Sequence, residues 1–194
     1  MTQPDVGTRS ERSHERILGV AARLFRERGA LETSVDDVMN AAGLTRGGFY
    51  AHFRDKSALV AEALDAAFAQ VKSKHFADAT LRGRAWLERS TEMYISLDLG
   101  ENPGAGCAVP ALGAEVARCD TTVREVFTKN LREILGEIAH RLAARDGPAR
   151  RRAIVTLAIS VGAVTMARAV TDRKLAKEIL QACRDDLLRT RRRG

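Results

Sequence analysis

Only four prolines interrupt 194 residues, and proline is the residue that both removes a helix hydrogen bond and clashes with the preceding turn. Long helices are therefore permitted almost everywhere. Apolar residues recur at helical spacing, aromatics make up 5% of the chain, and β-branched alternation is scarce. The fold class expected is all-α. An N-terminal unit of three short helices joins, through a long helix, a larger C-terminal helical domain, about nine helices in all.

The boundaries follow from capping signals. A first helix is expected over 13–28, with Ile17, Leu18, Ala21, Leu24 and Phe25 on one face and Gly29 as its stop. Ser34 and Asp37 form an S-x-x-D capping pair for a second helix that ends at Ala42, before Gly43. Thr45 is placed to cap a third helix through Phe53, and a fourth runs from Asp55 into the seventies with Leu59, Val60, Leu64, Phe68 and Val71 buried. Beyond it, an amphipathic helix is expected over 85–99, a break at "GENPGAG", and a short helix from Pro110. A helix capped by Thr122 and Glu125 runs to Arg145, "RDGPA" breaks the chain, and two helices over 149–170 and 172–190 precede the "RRR" tail. Domain boundaries are set at 1–55 and 56–194.

The stretch "GLTRGGFYAHFRDK" starts its helices badly. Glycine costs about 1 kcal/mol against alanine inside a helix, and Lys56 places a cation at a helix start, where the macrodipole disfavours it. A helix, a short turn and a second short helix form a helix-turn-helix, in which the second helix enters the major groove of duplex DNA. That role accounts for Gly47 and Gly48, which remove bulk where backbone must approach the duplex. Arg46 suits guanine or phosphate, Tyr50 and His52 can donate to phosphates, and Lys56, Thr33 and Ser34 sit where a helix start would hold a phosphate. The competing reading is a structural αα corner. Phe49 and Phe53, four apart, read as core anchors in either case.

Net charge is +7, compatible with a polyanionic partner, yet its distribution identifies no face. Residues 1–60 carry nine Lys plus Arg against eight Asp plus Glu, whereas residues 141–194 carry fourteen against five. Cys107, Cys119 and Cys183 make no zinc spacing, so no metal is expected, and an odd, sparse set suits a reducing compartment. The N-terminus lacks the apolar core of a signal peptide, and "AIVTLAISVGAVTMA" is read as too short to span a bilayer. The expected location is cytoplasmic, without a membrane partner.

The segment "TSVDDVMNAAGLTRGGFYAHFRDKSALVAEAL", with "RILGVAARLFRERG" before it, resembles the TetR family of transcriptional regulators closely over about residues 10–70. The resemblance extends weakly to the last two helices. It implies a homodimeric regulator, most often a repressor, binding a near-palindromic operator, with no cofactor and no enzyme activity. Its C-terminal domain would bind an effector and dimerise through the last two helices as a four-helix bundle. Matching positions imply DNA contacts from Thr33, Ser34, Thr45, Arg46, Gly48, Tyr50, His52 and Lys56; at Gly48 many members carry a larger residue. Independently, Ile154, Leu157, Ala158, Val161, Gly162, Val164 and Thr165 mix small and branched residues over more than one helix face, which suits burial against both the domain and a partner.

In a subset of such regulators a similar G-C-x7-E segment lies between the pocket helices, and in some of those the cysteine senses oxidants or electrophiles. Carried over, that cysteine is Cys107, at a helix start where a thiolate is favoured. The plainer reading is a small apolar packer. Trp86, Tyr94, Phe127 and Met166, with Met93, are candidate pocket lining or ordinary core. A thiol enzyme pairing Cys107 with His140 is the alternative function. A membrane-surface role for the basic C-terminus is a third, disfavoured by the last helix's lack of aromatic anchors.

Overall fold

The computed structural model describes residues 8–97, 102–142 and 149–189. The expected N-terminal arm, Leu99, part of the "GENPGAG" break, the end of the helix expected to reach Arg145, "RDGP" and the "RRR" tail lie outside the described residues. Among the described residues there are eight α-helices, two 3₁₀ segments and no strand.

Helix α1 spans Arg9–Arg28, starting four residues before the expected Ser13. The reason is a capping box: the Thr8 hydroxyl accepts from Glu11 N, and the Glu11 carboxylate accepts from Thr8 N. Helix α2 spans Val35–Ala41 under the expected Ser34–Asp37 box, with Asp37 N 3.1 Å from Ser34 Oγ and Ser34 N 2.8 Å from Asp37 Oδ2. It ends in a Schellman closure: Gly43 takes φ +66°, Gly43 N donates to Asn40 O and Leu44 N to Met39 O, each at 2.9 Å.

The third element differs from expectation. It is a 3₁₀ helix, Arg46–Ala51, and the Thr45 hydroxyl makes no capping bond. Two glycines in its first turn and no cap weaken the α form, and the tighter turn is instead held from inside. Phe49 and Phe53 are both 2% exposed, with ring centroids 5.5 Å apart. Helix α3, Lys56–His75, is capped by Asp55, whose Oδ1 accepts from Ala58 N at 2.8 Å. All five expected core positions are buried, and Ala61, Ala63 and Ala67 join them. These alanines allow α3 to be packed on two sides, by α1 and by α6.

The remaining helices are α4 (Gly83–Tyr94), α5 (Ala108–Val116), α6 (Thr121–Leu142), α7 (Ala149–Ala169) and α8 (Arg173–Arg189), with the second 3₁₀ segment at Pro103–Ala105. The cap of α6 is Asp120, whose Oδ1 accepts from Val123 N at 3.1 Å, and not the expected Thr122–Glu125 pair. Asp120 immediately precedes the true start of the helix. One continuous core runs from Ile17 in α1 through Phe68 in α3 to Leu157 in α7. A smaller cluster joins Val71, Tyr94, Ile95 and Cys107 to Val164, Leu180 and Leu187. The expected boundary between residues 55 and 56 thus falls at the cap of a helix on which both halves pack.

The apolar run over 153–167 lies within the longer helix α7, whose 21 residues are long and apolar enough by length and composition alone to cross a membrane. Leu157 and Val164 face the core, whereas Ile154, Ala158 and Thr165 face outward.

Candidate nucleic-acid interface and ligand cavity

Around the 3₁₀ helix, Ser34, Thr45, Arg46 and Tyr50 are exposed, Tyr50 at 70%, while Gly48, His52 and Lys56 are half-buried. Arg46 Nη1 pairs with Asp36 Oδ2 at 2.6 Å, which ties the start of the 3₁₀ helix to the first turn of α2. Lys56 Nζ donates to Leu31 O at 3.1 Å, so the cation at the start of α3 also closes the loop before α2. Thr33 differs from the rest: it is 1% exposed and its hydroxyl donates to Gly29 O at 2.6 Å, so it shapes the turn and presents nothing outward. The Ser34 hydroxyl already donates to Asp37 Oδ2 at 2.6 Å, and this bond, with the backbone one, holds the Asp37 carboxyl below its ordinary range.

Gly47 and Gly48 do not have positive φ. A Cβ at Gly47 would meet nothing within 4 Å, and one at Gly48 only Met39 Cε at 3.8 Å. Neither the backbone nor the interior requires glycine at either position. His14, to which the sequence pattern assigns no role, stacks on Phe53 at 4.8 Å and reaches Glu62 at 2.9 Å, joining α1 to α3 behind the reading element.

The second site is a cleft of about 500 Å³ including its mouth. Val71 and His75 of α3, Trp86, Thr91 and Tyr94 of α4, Ile134 and Ile138 of α6, and Leu157 and Ser160 of α7 line it, together with Cys107. Trp86, Tyr94 and Cys107, three of the candidate effector residues, are thus brought together in its lining. Phe127 is not: it packs edge-on against Phe68, 5.6 Å away, on the face of α6 turned to the main core. Met166 is not either, since it lies on the outer side of α7, 49% exposed. Met93 lines an adjoining, more polar cleft that shares His75, Trp86 and Ser90 with the first. His75, Ile134 and Ile138 escape sequence reasoning, because spacing shows which residues share a helix face but not the cavity that face meets.

Cys107 is the N-cap of α5, its Sγ accepting from Val109 N at 3.5 Å. It is 2% exposed, and burial pushes its thiol up, outweighing the Tyr94 hydroxyl and the nearby Arg168 and Arg26. This corrects the expectation of a thiolate favoured by the helix start. His140 lies beside Arg82, 3.2 Å away, and does not line the cleft; the histidine that shares it with Cys107 is His75. Among the described residues no cluster has the makeup of a metal site.

Burial, and secondarily Lys74, lowers His75 from 6.5 to about 4. A depressed histidine stabilises the fold fully above its unfolded value and loses that contribution as pH falls toward the folded one. Lowering pH from 7 to 4 is therefore expected to remove about 3 kcal/mol through His75. His75→Gln should flatten that part of the profile in thermal melts, and an unchanged slope would assign the loss to other groups.

Residues 17–63 match the family described as bacterial regulatory proteins, tetR family. The chain is 45% identical over 53 residues to the HTH-type transcriptional regulator AcrR of Shigella flexneri, covering 27% of this chain and 25% of that one. It is 36% identical over 103 residues to the HTH-type transcriptional repressor KstR2 of Rhodococcus jostii, covering 50% of each. It thus spans between a quarter and half of the length of these relatives. Across 91% of its own length and 95% of the other, it has the fold of E. coli NemR in its reduced form, with a TM-score of 0.75 and 20% identity. The match to the tetR family thus lies in residues 17–63, which contain the helix-turn-helix, and the likeness of the rest of the chain is one of fold.

Proposed function

We propose that this chain is a homodimeric transcriptional repressor in the cytoplasm. Two copies of its 35–51 unit grip a near-palindromic operator, and filling of the helical cleft releases it. The observation that carries this reading is the open, glycine-started 3₁₀ helix, whose glycines answer to nothing inside the protein. Residues 1–55 act as the reading head and 56–194 as the effector and dimer domain. Arg46 and Thr45 read bases, while Ser34, Tyr50, His52 and Lys56 hold phosphates. Four of the exposed large apolar residues, Ile154, Val155, Met166 and Leu175, lie on α7 and α8. They suit a four-helix bundle with a second copy, which also accounts for the apolar outer side of α7 without lipid.

Helix α5 connects the two sites. Cys107 at its start touches the cleft, and Glu115 at its end accepts from Ala30 N at 2.8 Å and Leu31 N at 3.0 Å, in the loop before α2. The buried Arg26 of α1 donates to Gly104 O through Nε at 2.8 Å and through Nη2, holding the chain just before α5. A ligand that moves Cys107 would move Glu115 and, with it, the reading head. Because Cys107 lines the cleft, a small neutral electrophile entering it would act through the same helix.

Glu115→Ala is expected to lower stability by about 2 kcal/mol, since two N–H donors lose their acceptor. It should also at least halve the effector's influence on operator affinity, read by titrating labelled operator with and without effector. Undiminished release would place the connection elsewhere. Selection of bound duplexes from random DNA by the reduced, purified chain tests the proposal as a whole. A two-fold-symmetric site is the expected product, and no enrichment by folded protein at low salt overturns the reading.

A further inference from the structure

Two polar atoms that line the cleft, Trp86 Nε1 and His75 Nδ1, are buried without a hydrogen-bond partner, and the buried Tyr94 hydroxyl beside them meets only the Cys107 thiol, a weak partner. Trp86 and Tyr94 are 3% and 7% exposed. A buried polar group without a partner is destabilising by roughly 1–3 kcal/mol, and native folds rarely leave two side by side. The rest of the lining is apolar or weakly polar, and among the described residues no Asp, Glu, Lys or Arg side chain belongs to it. Arg168 and Arg26 are near enough to act on Cys107, and Lys74 on His75, but none of the three lines the cleft.

We infer that the effector is a neutral, mainly apolar molecule carrying a carbonyl-type oxygen, which accepts from the Trp86 indole N–H and the Tyr94 hydroxyl. This deepens the proposed regulation and rests on it for its consequence, though binding itself does not require DNA. An apolar body fills the space between Val71, Ile138 and Leu157, while the oxygen meets one donor that is otherwise unmatched and one that has only a thiol for partner. A carboxylate would be buried with no cation among the described lining residues to meet it, at a desolvation cost that hydrogen bonds from neutral donors offset poorly. A hydrocarbon of the same shape would leave the donors as they are.

Trp86 is the only tryptophan in the chain, so the labelled protein gives a single indole N–H signal in a proton–nitrogen correlation spectrum. Acetophenone, ethylbenzene and benzoate are the probes: similar bodies with a carbonyl oxygen, no acceptor and a charge. Titrating the full chain with acetophenone is expected to shift the indole signal downfield and saturably. Ethylbenzene should bind about tenfold more weakly, the loss of one to two neutral hydrogen bonds, and benzoate should not saturate. Tyr94→Phe should weaken acetophenone by about tenfold and leave ethylbenzene unchanged. The melting temperature of the free variant should fall little, because the hydroxyl gives up only the weak Cys107 thiol as partner.

Equal affinity for ethylbenzene and acetophenone overturns the inference, and so does tightest binding of benzoate. No shift with any probe up to its solubility also overturns it, because the cleft then admits no such body. A Tyr94→Phe chain that melts much lower and binds acetophenone as the parent does would make the hydroxyl structural and overturn the inference as well. Duplex selection needs only the reading head, so its failure and the failure of this titration are separately visible.

Discussion

Gly47→Leu is expected to weaken operator binding at least 100-fold, a loss of about 2.7 kcal/mol, while leaving the chain as stable as before. Nothing in the protein stands within 4 Å of a Cβ at this position, and its φ is not positive. Leucine is a better helix former than glycine by roughly 1 kcal/mol, so no loss of stability is expected. A side chain there projects only outward, into the space where a duplex backbone would come closest. Thermal melts and a titration of labelled operator separate the two effects. A variant that melts lower and still binds would return Gly47 to a role in folding and leave the start of the 3₁₀ helix unexplained.

Phe68→Ala is expected to have the largest effect on stability, about 4 kcal/mol for a fully buried phenylalanine. Phe68 is 0% exposed and meets Phe127 edge-on in the core that runs from α1 to α7. Because α3 is packed by both α1 and α6, the loss should appear in the whole molecule at once. Denaturant unfolding followed by Trp86 fluorescence reports the cleft, and circular dichroism reports all helices. The two transitions should move together, and Phe68→Leu should move them less, by about 1 kcal/mol. Separation of the two curves would mean that reading head and effector domain are independent units, and a rigid path from cleft to DNA through this core would then fail.

Helix starts and stops are legible in the sequence where they depend on residues three or four apart. The Ser34–Asp37 box, the Gly43 closure and the buried stripe of α3 are of this kind. The Thr8–Glu11 box has the same spacing, but apolar periodicity begins later than the helix and so points to a later start. The 3₁₀ form of residues 46–51 is not legible, because it reflects a balance between weak glycines and the pull of Phe49 and Phe53 on the core. The rotation of one helix about another is also invisible in a single sequence. Residue type assigns Trp86 and Tyr94 to the cleft, but it assigns Phe127 and Met166 there too, and only packing separates them. Thr33 fails as an outward contact because its hydroxyl finds Gly29 O four residues back. Glu115 stands in sequence near Cys107, yet its partners at residues 30 and 31 are some 85 positions away, beyond any local pattern.

The central claim is that two protomers present two DNA-facing helix starts to one duplex. Its most direct measurement is the affinity and mass of the complex with the selected duplex over a range of salt. A complex holding at least two chains is expected, with log affinity falling against log salt at a slope of magnitude about 4 or more, from two or more phosphates held by each head. Lys56→Ala should reduce that slope by about one unit per protomer. A one-chain complex, or an affinity indifferent to salt, would contradict the account.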